Sequence, residues 1–264
     1  MNPLIGKVRF QPFFSKLHAF ALKGMNVGTG STITQSGELS VIQRLRDSWN
    51  AREQVTLFDV GANKGDYALA LLEAFQAHPN TLIYAFEPSN PVFAELQQAL
   101  RSHPQGQRLQ AFNIGLGEKN ERRTLYSSGE SGPSGLSSLY PRRLDHFNIP
   151  MKAREEIELQ TLDDFCAAHS VASIQLLKLD VEGHELAVLQ GAHRMIEGKA
   201  IEAIQFEFGG CDIDSRTFFQ DYFYLLNPQY RLYRILIDGL APIDAYQEEQ
   251  EIFLTTNFLA LRRS

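Results

Sequence analysis

The chain has 264 residues, enough for one large domain, or one domain with an appendage, around a sizeable buried core. Its net charge of −6, without a dense Lys/Arg run, argues against a nucleic-acid partner, because phosphate binding needs a basic surface. No apolar run approaches the ~18–20 residues of a transmembrane helix, no signal peptide is evident, and the two cysteines lack CxxC spacing, so neither zinc nor a disulfide framework is suggested. A cytoplasmic location with Cys166 and Cys211 as inert thiols is the expectation.

Residues 1–50 precede the first strand and read as an N-terminal helical appendage or lid, leaving 51–264 as the main domain. Phe10, Phe13, Phe14, Leu17, Phe20 and Ala21 recur at helical spacing, interleaved with Lys7, Arg9, Lys16 and Lys23. Such a helix either packs its aromatic face on the main domain or lies on a membrane surface. Gly24 through Gly37 reads as loop, and Glu38 opens a helix through Leu39, Val41, Ile42 and Leu45.

An apolar run from Val55 to Val60 then meets a glycine-punctuated turn, Gly61-Ala62-Asn63-Lys64-Gly65, followed by an apolar-periodic segment from Tyr67 to Phe75. That is strand, tight turn and helix, the first βα unit of an open α/β sheet. Glycine lets the chain turn sharply and a ligand approach, and the helix start offers free backbone N–H groups. Leu82 to Glu87 forms a second strand ending on an acid, about where a dinucleotide fold places its ribose-binding carboxylate. The glycines, however, read Gly-x-Asn-x-Gly, with an amide where a pyrophosphate would need glycine. A nucleoside without a diphosphate fits better, and S-adenosylmethionine is one.

Leu109 to Ile114 reads as the third strand, closed by Gly115-Leu116-Gly117. Residues 118–160 break the alternation. Arg123–Tyr126 and Glu156–Gln160 suggest short strands around the Gly/Ser-dense run Ser127–Ser138, either a mobile substrate loop or a featureless one. Thr161-Leu162-Asp163-Asp164 has the form of a helix N-cap. Ile174 to Leu179 is the fourth strand, ending in Asp180-Val181-Glu182-Gly183-His184-Glu185, with a helix through Leu186, Val188, Leu189 and Ile196 after it. Ile201 to Phe208 is the fifth strand. Phe218 to Leu226 is helical, and Arg231–Ile237 with Ile252–Leu261 read as an antiparallel pair on the sheet edge.

Polar residues therefore collect at successive strand ends: Asp59, Glu87, Asn113, Asp180 with Glu182 and His184, and Glu207. In an open α/β sheet those ends converge on one crevice. Lys178 reads as a strand residue whose amine snorkels outward. Asp180, Glu182 and His184 are the candidate catalytic residues. His184 titrates nearest neutrality, but it can equally be a turn residue that only packs. A divalent-metal site built from Asp180, Glu182, His184 and Glu185 is an alternative reading of the same cluster, and a site without metal is the expectation.

Phe58-Asp59-Val60-Gly61-Ala62-Asn63-x-Gly65, Phe86-Glu87-Pro88 and Lys178-Leu179-Asp180-Val181-Glu182-Gly183-His184-Glu185 together resemble the FkbM-type S-adenosylmethionine-dependent methyltransferases. Thr161-Leu162-Asp163 and Leu189-Gln190-Gly191-Ala192 resemble that family's spacing too, so the likeness spans about Glu38 to Glu207. It implies an α/β, Rossmann-like class I methyltransferase: a seven-stranded mixed sheet, helices on both faces, and an antiparallel C-terminal hairpin. By resemblance, Asp59, Gly61, Asn63 and Gly65 line the methionine end of S-adenosylmethionine, and Glu87 holds the ribose. Asn113 and Ile114 border the adenine, while Asp180 faces the cofactor's amino group or the acceptor. The implied activity is O-methylation of a hydroxyl on a glycan, lipid or secondary metabolite. The alternatives are a nucleotide-dependent oxidoreductase, disfavoured by Asn63, and a module that binds the cofactor without turnover.

Overall fold

The computed structural model describes residues 4–28, 32–129 and 134–263. Its strands are β1 (Val55–Val60), β2 (Thr81–Phe86), β3 (Leu109–Phe112), β4 (Gly115–Leu116), β5 (Glu121–Ser127), β6 (Ala153–Gln160), β7 (Ile174–Leu179), β8 (Ile201–Phe208), β9 (Tyr230–Leu236), β10 (Gly239–Ile243) and β11 (Thr256–Arg262). The α-helices are α1 (Gln11–Gly24), α2 (Glu38–Trp49), α3 (Asp66–Ala74), α4 (Asn90–Ser102), α5 (Leu162–Ala168), α6 (Glu185–Gln190), α7 (His193–Glu197), α8 (Gly210–Ser215) and α9 (Phe219–Leu226).

Eight strands form one mixed sheet in the order β10-β9-β11-β8-β7-β1-β2-β3. β1 pairs in parallel with β2 on one side and β7 on the other, so the winding direction reverses there. A reversal of that kind opens a crevice at the carboxyl ends of the strands. The expected Rossmann-like methyltransferase architecture is present, with one strand more than seven. β1 and β7 are buried along their whole length, as parallel strands covered on both faces must be, which is why they are continuous apolar runs. On one face Phe58, Tyr84, Phe86 and Phe112 pack against the Phe165 ring of α5 at 4.7–5.9 Å, all four edge-on. On the other, Val41, Ile42, Leu45 and Trp49 of α2 join Leu71 and Leu72 of α3 over Leu57. Each such side chain contributes about 1.5–3 kcal/mol on burial.

Three local expectations change. The two C-terminal apolar runs do pair with each other, but β11 lies inside the sheet between β8 and β9, so only β9 sits near the edge. The edge itself is β10, joined to β9 by a tight turn; its Pro242 lacks an N–H, which an edge strand tolerates. The helix expected through Ile196 is split into α6 and α7. The short strands in 118–160 are longer than expected and form a second sheet, β4-β6-β5. Along β6, Ile157 and Leu159 are buried while their neighbours are exposed or half-buried, the period-2 pattern of a one-sided sheet. The Ser127–Ser138 run is partly described, with residues 130–133 outside the description, as are 29–31 of the Gly24–Gly37 loop.

The N-terminal segment departs furthest from its packed reading. α2 is part of the core, but α1 buries only Leu22, and its Phe13, Leu17 and Phe20 are exposed. Among the described residues no helix is long and apolar enough to cross a membrane.

Candidate active site

The first βα turn is built from three left-handed residues, Gly61 (φ 84°), Asn63 (φ 47°) and Gly65 (φ 100°). Gly61 and Ala62 both donate their N–H to the Phe86 carbonyl, which ties the turn to the end of β2. A Cβ on Gly61 would lie 1.9 Å from the Asp180 carbonyl oxygen, so the close approach of the β1 and β7 ends requires glycine here. The turn after β7 is equally constrained. Glu182 (φ 52°) and Gly183 (φ 98°) are left-handed, and Glu185 accepts the Val181 and Gly183 N–H groups at 2.8 and 2.9 Å.

Between these turns lies a cavity of about 870 Å³, large enough for a nucleoside with an acceptor beside it. Gly61, Asn63, Glu87, Asp180, Glu182 and His184, all candidates from the sequence, line it. The other four do not. Asp59 is fully buried behind the wall, and Gly65 caps α3, where a Cβ would meet Leu96. Asn113 donates from Nδ2 to the Glu87 and Pro88 carbonyls, and Ile114 packs on the core. These residues shape the strand ends rather than the cavity surface.

Glu87 accepts the N–H of Asn63 (3.0 Å) and of Ser89 (2.9 Å), one on each oxygen. Burial nonetheless raises its pKa to about 7. Asp59, Lys178 and Gln205 stand side by side across β1, β7 and β8 in the sheet register. Lys178 Nζ sits 3.3 Å from Asp59 Oδ1 and 3.1 Å from Asp180 Oδ2, so its amine does not snorkel to solvent. Burial alone would lower it, but Asp180, Asp59 and Glu38 outweigh that and hold it well above the ordinary lysine value. Gln205 donates to Glu38 (2.7 Å) and accepts from the Tyr67 hydroxyl (3.0 Å), extending the polar row to α2 and α3.

The second sheet supplies the opposite chemistry. Leu125, Leu139, Ile157 and Leu159 form its small core and also line the cavity. The segment after 134 is tied to the β7 turn. Ser138 donates to the Glu182 carbonyl (2.7 Å), Arg142 pairs with the Glu182 carboxylate, and the Tyr140 hydroxyl meets His184 Nδ1 at 3.0 Å. His184 Nε2 is buried without a partner among the described residues, and burial lowers the ring's pKa to about 4. Burial and the neighbouring Asp180 raise Glu182 to about 8, against Arg142. Arg142, Tyr140 and the apolar wall were missed from sequence, and only the period-2 pattern of β6 signalled the wall. Among the described residues no three His, Cys, Asp or Glu side chains converge as metal ligands.

These shifts give a pH dependence of stability. Glu87 and Glu182 have folded pKa values above the unfolded carboxylate range, so between ~4.5 and their folded values the folded state binds more protons. Stability then falls as pH rises through that window. His184 acts oppositely, but only below about 6.5. The unliganded protein is therefore expected to melt at a higher temperature at pH about 6.5 than at about 8.5. A melting temperature that rises over this interval in circular dichroism would contradict the burial of these carboxylates.

Residues 59–234, well over half of the chain, match the sequence model described as "Methyltransferase FkbM domain". The chain belongs to the FkbM methyltransferase family. Among curated relatives, "2-O-methyltransferase NoeI" of Sinorhizobium fredii (strain NBRC 101917 / NGR234) is 25% identical over 142 residues, 51% of this chain and 56% of that protein. "31-O-demethyl-FK506 methyltransferase FkbM" of Streptomyces tacrolimicus is 31% identical over 166 residues, 56% of this chain and 63% of that protein. The matched stretch thus spans little more than half the length of these relatives. A solved structure of methyltransferase FkbM from Methylobacillus flagellatus KT superposes with a TM-score of 0.48 at 18% identity, covering 79% of this chain and 44% of that one.

The FkbM domain is a methyltransferase domain, and its cofactor is S-adenosylmethionine. The donor set fits that group. A sulfonium and an ammonium are cations, and the cavity wall carries Glu38, Asp66, Glu73, Glu87, Asp180, Glu182 and Glu207 against Lys64 and Lys178. Asn63 Oδ1, buried and without a hydrogen-bond partner among the described residues, adds a spare acceptor.

Proposed function

We propose that the chain methylates a hydroxyl of a glycan, lipid or secondary metabolite. The observation that carries this is one cavity shared by a carboxylate rim, Asp180, Glu182 and Glu207, and an apolar wall from the second sheet. The 2-O and 31-O positions in the relatives' names support an oxygen acceptor. The expected domain boundary at residue 51 moves to about 38: residues 38–264 would form the catalytic domain, because α2 packs into the core and Glu38 lines the cavity, with 1–37 as an appendage.

S-adenosylmethionine, when bound, supplies a methyl carbon made electrophilic by its sulfonium. Each Glu87 oxygen keeps a lone pair beyond its backbone N–H, so the carboxylate can take the ribose hydroxyls. Gly61 and Asn63 would border the methionine end, and Asp180 would meet the ammonium or the acceptor. The acceptor hydroxyl would have to give up its proton, and a rim carboxylate could receive it. His184 is a poorer base here, with Nδ1 committed to Tyr140 and Nε2 sealed, so we assign it to positioning the strap that carries Tyr140.

Incubation with methyl-tritiated cofactor and a panel of polyols, glycolipids and amines tests the proposal. Label on a hydroxyl is expected; label on amines alone would contradict it. Glu87→Ala should leave the fold intact and weaken cofactor binding about 10- to 100-fold, the loss of charge-assisted hydrogen bonds worth ~1.5–3 kcal/mol each. An unchanged dissociation constant in calorimetry would reduce Glu87 to a turn-bracing acid.

A further inference from the structure

Residues 1–37 contain Lys7, Arg9, Lys16 and Lys23 and no acid, so +4 of charge sits on a chain whose net charge is −6. The remainder, 38–264, therefore carries −10 (−6 minus +4). Within this basic segment, α1 joins the body by its C-terminal end. Leu22 is buried, Asn26 Nδ2 donates to the Ser36 and Ile235 carbonyls, and the Gly28 N–H donates to the Thr255 carbonyl.

Phe13, Leu17 and Phe20 are 61%, 49% and 75% exposed. At 100° per residue they fall within roughly 60° of one another, and Leu22 lies about 180° away. The helix is thus held to the body by one side and presents an aromatic-aliphatic stripe on the other. By the same spacing Lys16 and Lys23 fall on one flank of that stripe, and Leu4, Ile5 and Val8, earlier in the segment, are exposed too. An isolated exposed Leu is ordinary, but six large apolar side chains on one short segment are not.

We propose that this segment docks on an anionic lipid bilayer. The stripe would enter the acyl boundary while Lys7, Arg9, Lys16 and Lys23 meet lipid phosphates, the arrangement of an interfacial amphipathic helix. Charge complementarity selects the occupant: a segment with four basic groups and no acid complements a surface of uniform negative charge. The −10 remainder would be repelled by that surface, so the contact is confined to α1 and the residues before it.

The test is sedimentation of the full chain with phosphatidylglycerol–phosphatidylcholine vesicles and with pure phosphatidylcholine vesicles. Binding to the anionic vesicles alone is expected, weakened by salt. The combined variant Phe13→Ser, Leu17→Ser, Phe20→Ser and the pair Lys16→Glu, Lys23→Glu should each lower binding at least about tenfold. Their melting temperatures should stay unchanged, because these side chains are outside the core. No sedimentation with anionic vesicles would overturn the proposal, as would binding that survives the triple variant. A dimer in sedimentation velocity that the triple variant dissolves would assign the stripe to a second copy instead, and overturn it too.

Discussion

Asp180→Ala is expected to lower methyl transfer by about 100-fold or more, the scale of removing one preorganised electrostatic partner. Asp180 is the rim carboxylate fixed by Lys178 at 3.1 Å, and Lys178 is in turn held by Asp59 at 3.3 Å. Truncation removes the charge that faces the cavity. It also leaves a buried ammonium with one counter-ion instead of two, so Lys178 is free to swing toward Asp59 or into the cavity. Asp180→Asn keeps the shape and an acceptor but not the charge. If it is as slow as the alanine variant while melting like the parent, charge is the property that matters. Full activity in either variant would remove Asp180 from the reaction.

The second large effect belongs to Gly61→Ala. Two penalties act together: a left-handed φ of 84°, and a Cβ 1.9 Å from the Asp180 carbonyl oxygen, where backbone must move. Gly129 is a control for the first alone, since its φ is 83° and among the described residues its Cβ would meet nothing closer than the Ala153 methyl at 3.7 Å. Gly129→Ala should cost about 1–2 kcal/mol. Gly61→Ala should cost more than about 3 kcal/mol and lower the melting temperature by several degrees more than the control. Because the β1 and β7 ends would separate, cofactor binding should be lost in whatever fraction folds. Equal melting temperatures and equal cofactor binding for the two variants would show that the two strand ends do not depend on this glycine.

What could be read from sequence follows the physics of burial. β1, β2, β7 and β8 announce themselves because strands covered on both faces are unbroken apolar runs, and the residues just past them identify the crevice. β10 is hidden by Gly239 and Pro242, which signal a turn unless an edge position is known in advance. The apolar wall is hidden because Leu125, Leu139, Ile157 and Leu159 come from three separated stretches that only the second sheet brings together. Lys178 departs from the expected snorkelling for a more general reason. A lysine on a strand snorkels by default, and its true surroundings depend on register, which sets it beside Asp59 on β1. Knowing that β1 and β7 are neighbours in parallel would have suggested the pair. For α1 the helical spacing was legible, but whether a hydrophobic stripe is covered depends on where the helix is attached, and Leu22 on its opposite side decides that.

In the proposed reading S-adenosylmethionine occupies the cavity between the β1 and β7 turns. Titration calorimetry of the full chain with S-adenosylmethionine, S-adenosylhomocysteine and NAD, repeated on Glu87→Ala, tests this most directly. The predicted result is saturable one-site binding of both sulfur nucleosides, weakened in the variant, with NAD weaker than either. Tighter binding of NAD, or nucleoside binding that Glu87→Ala leaves untouched, would contradict it.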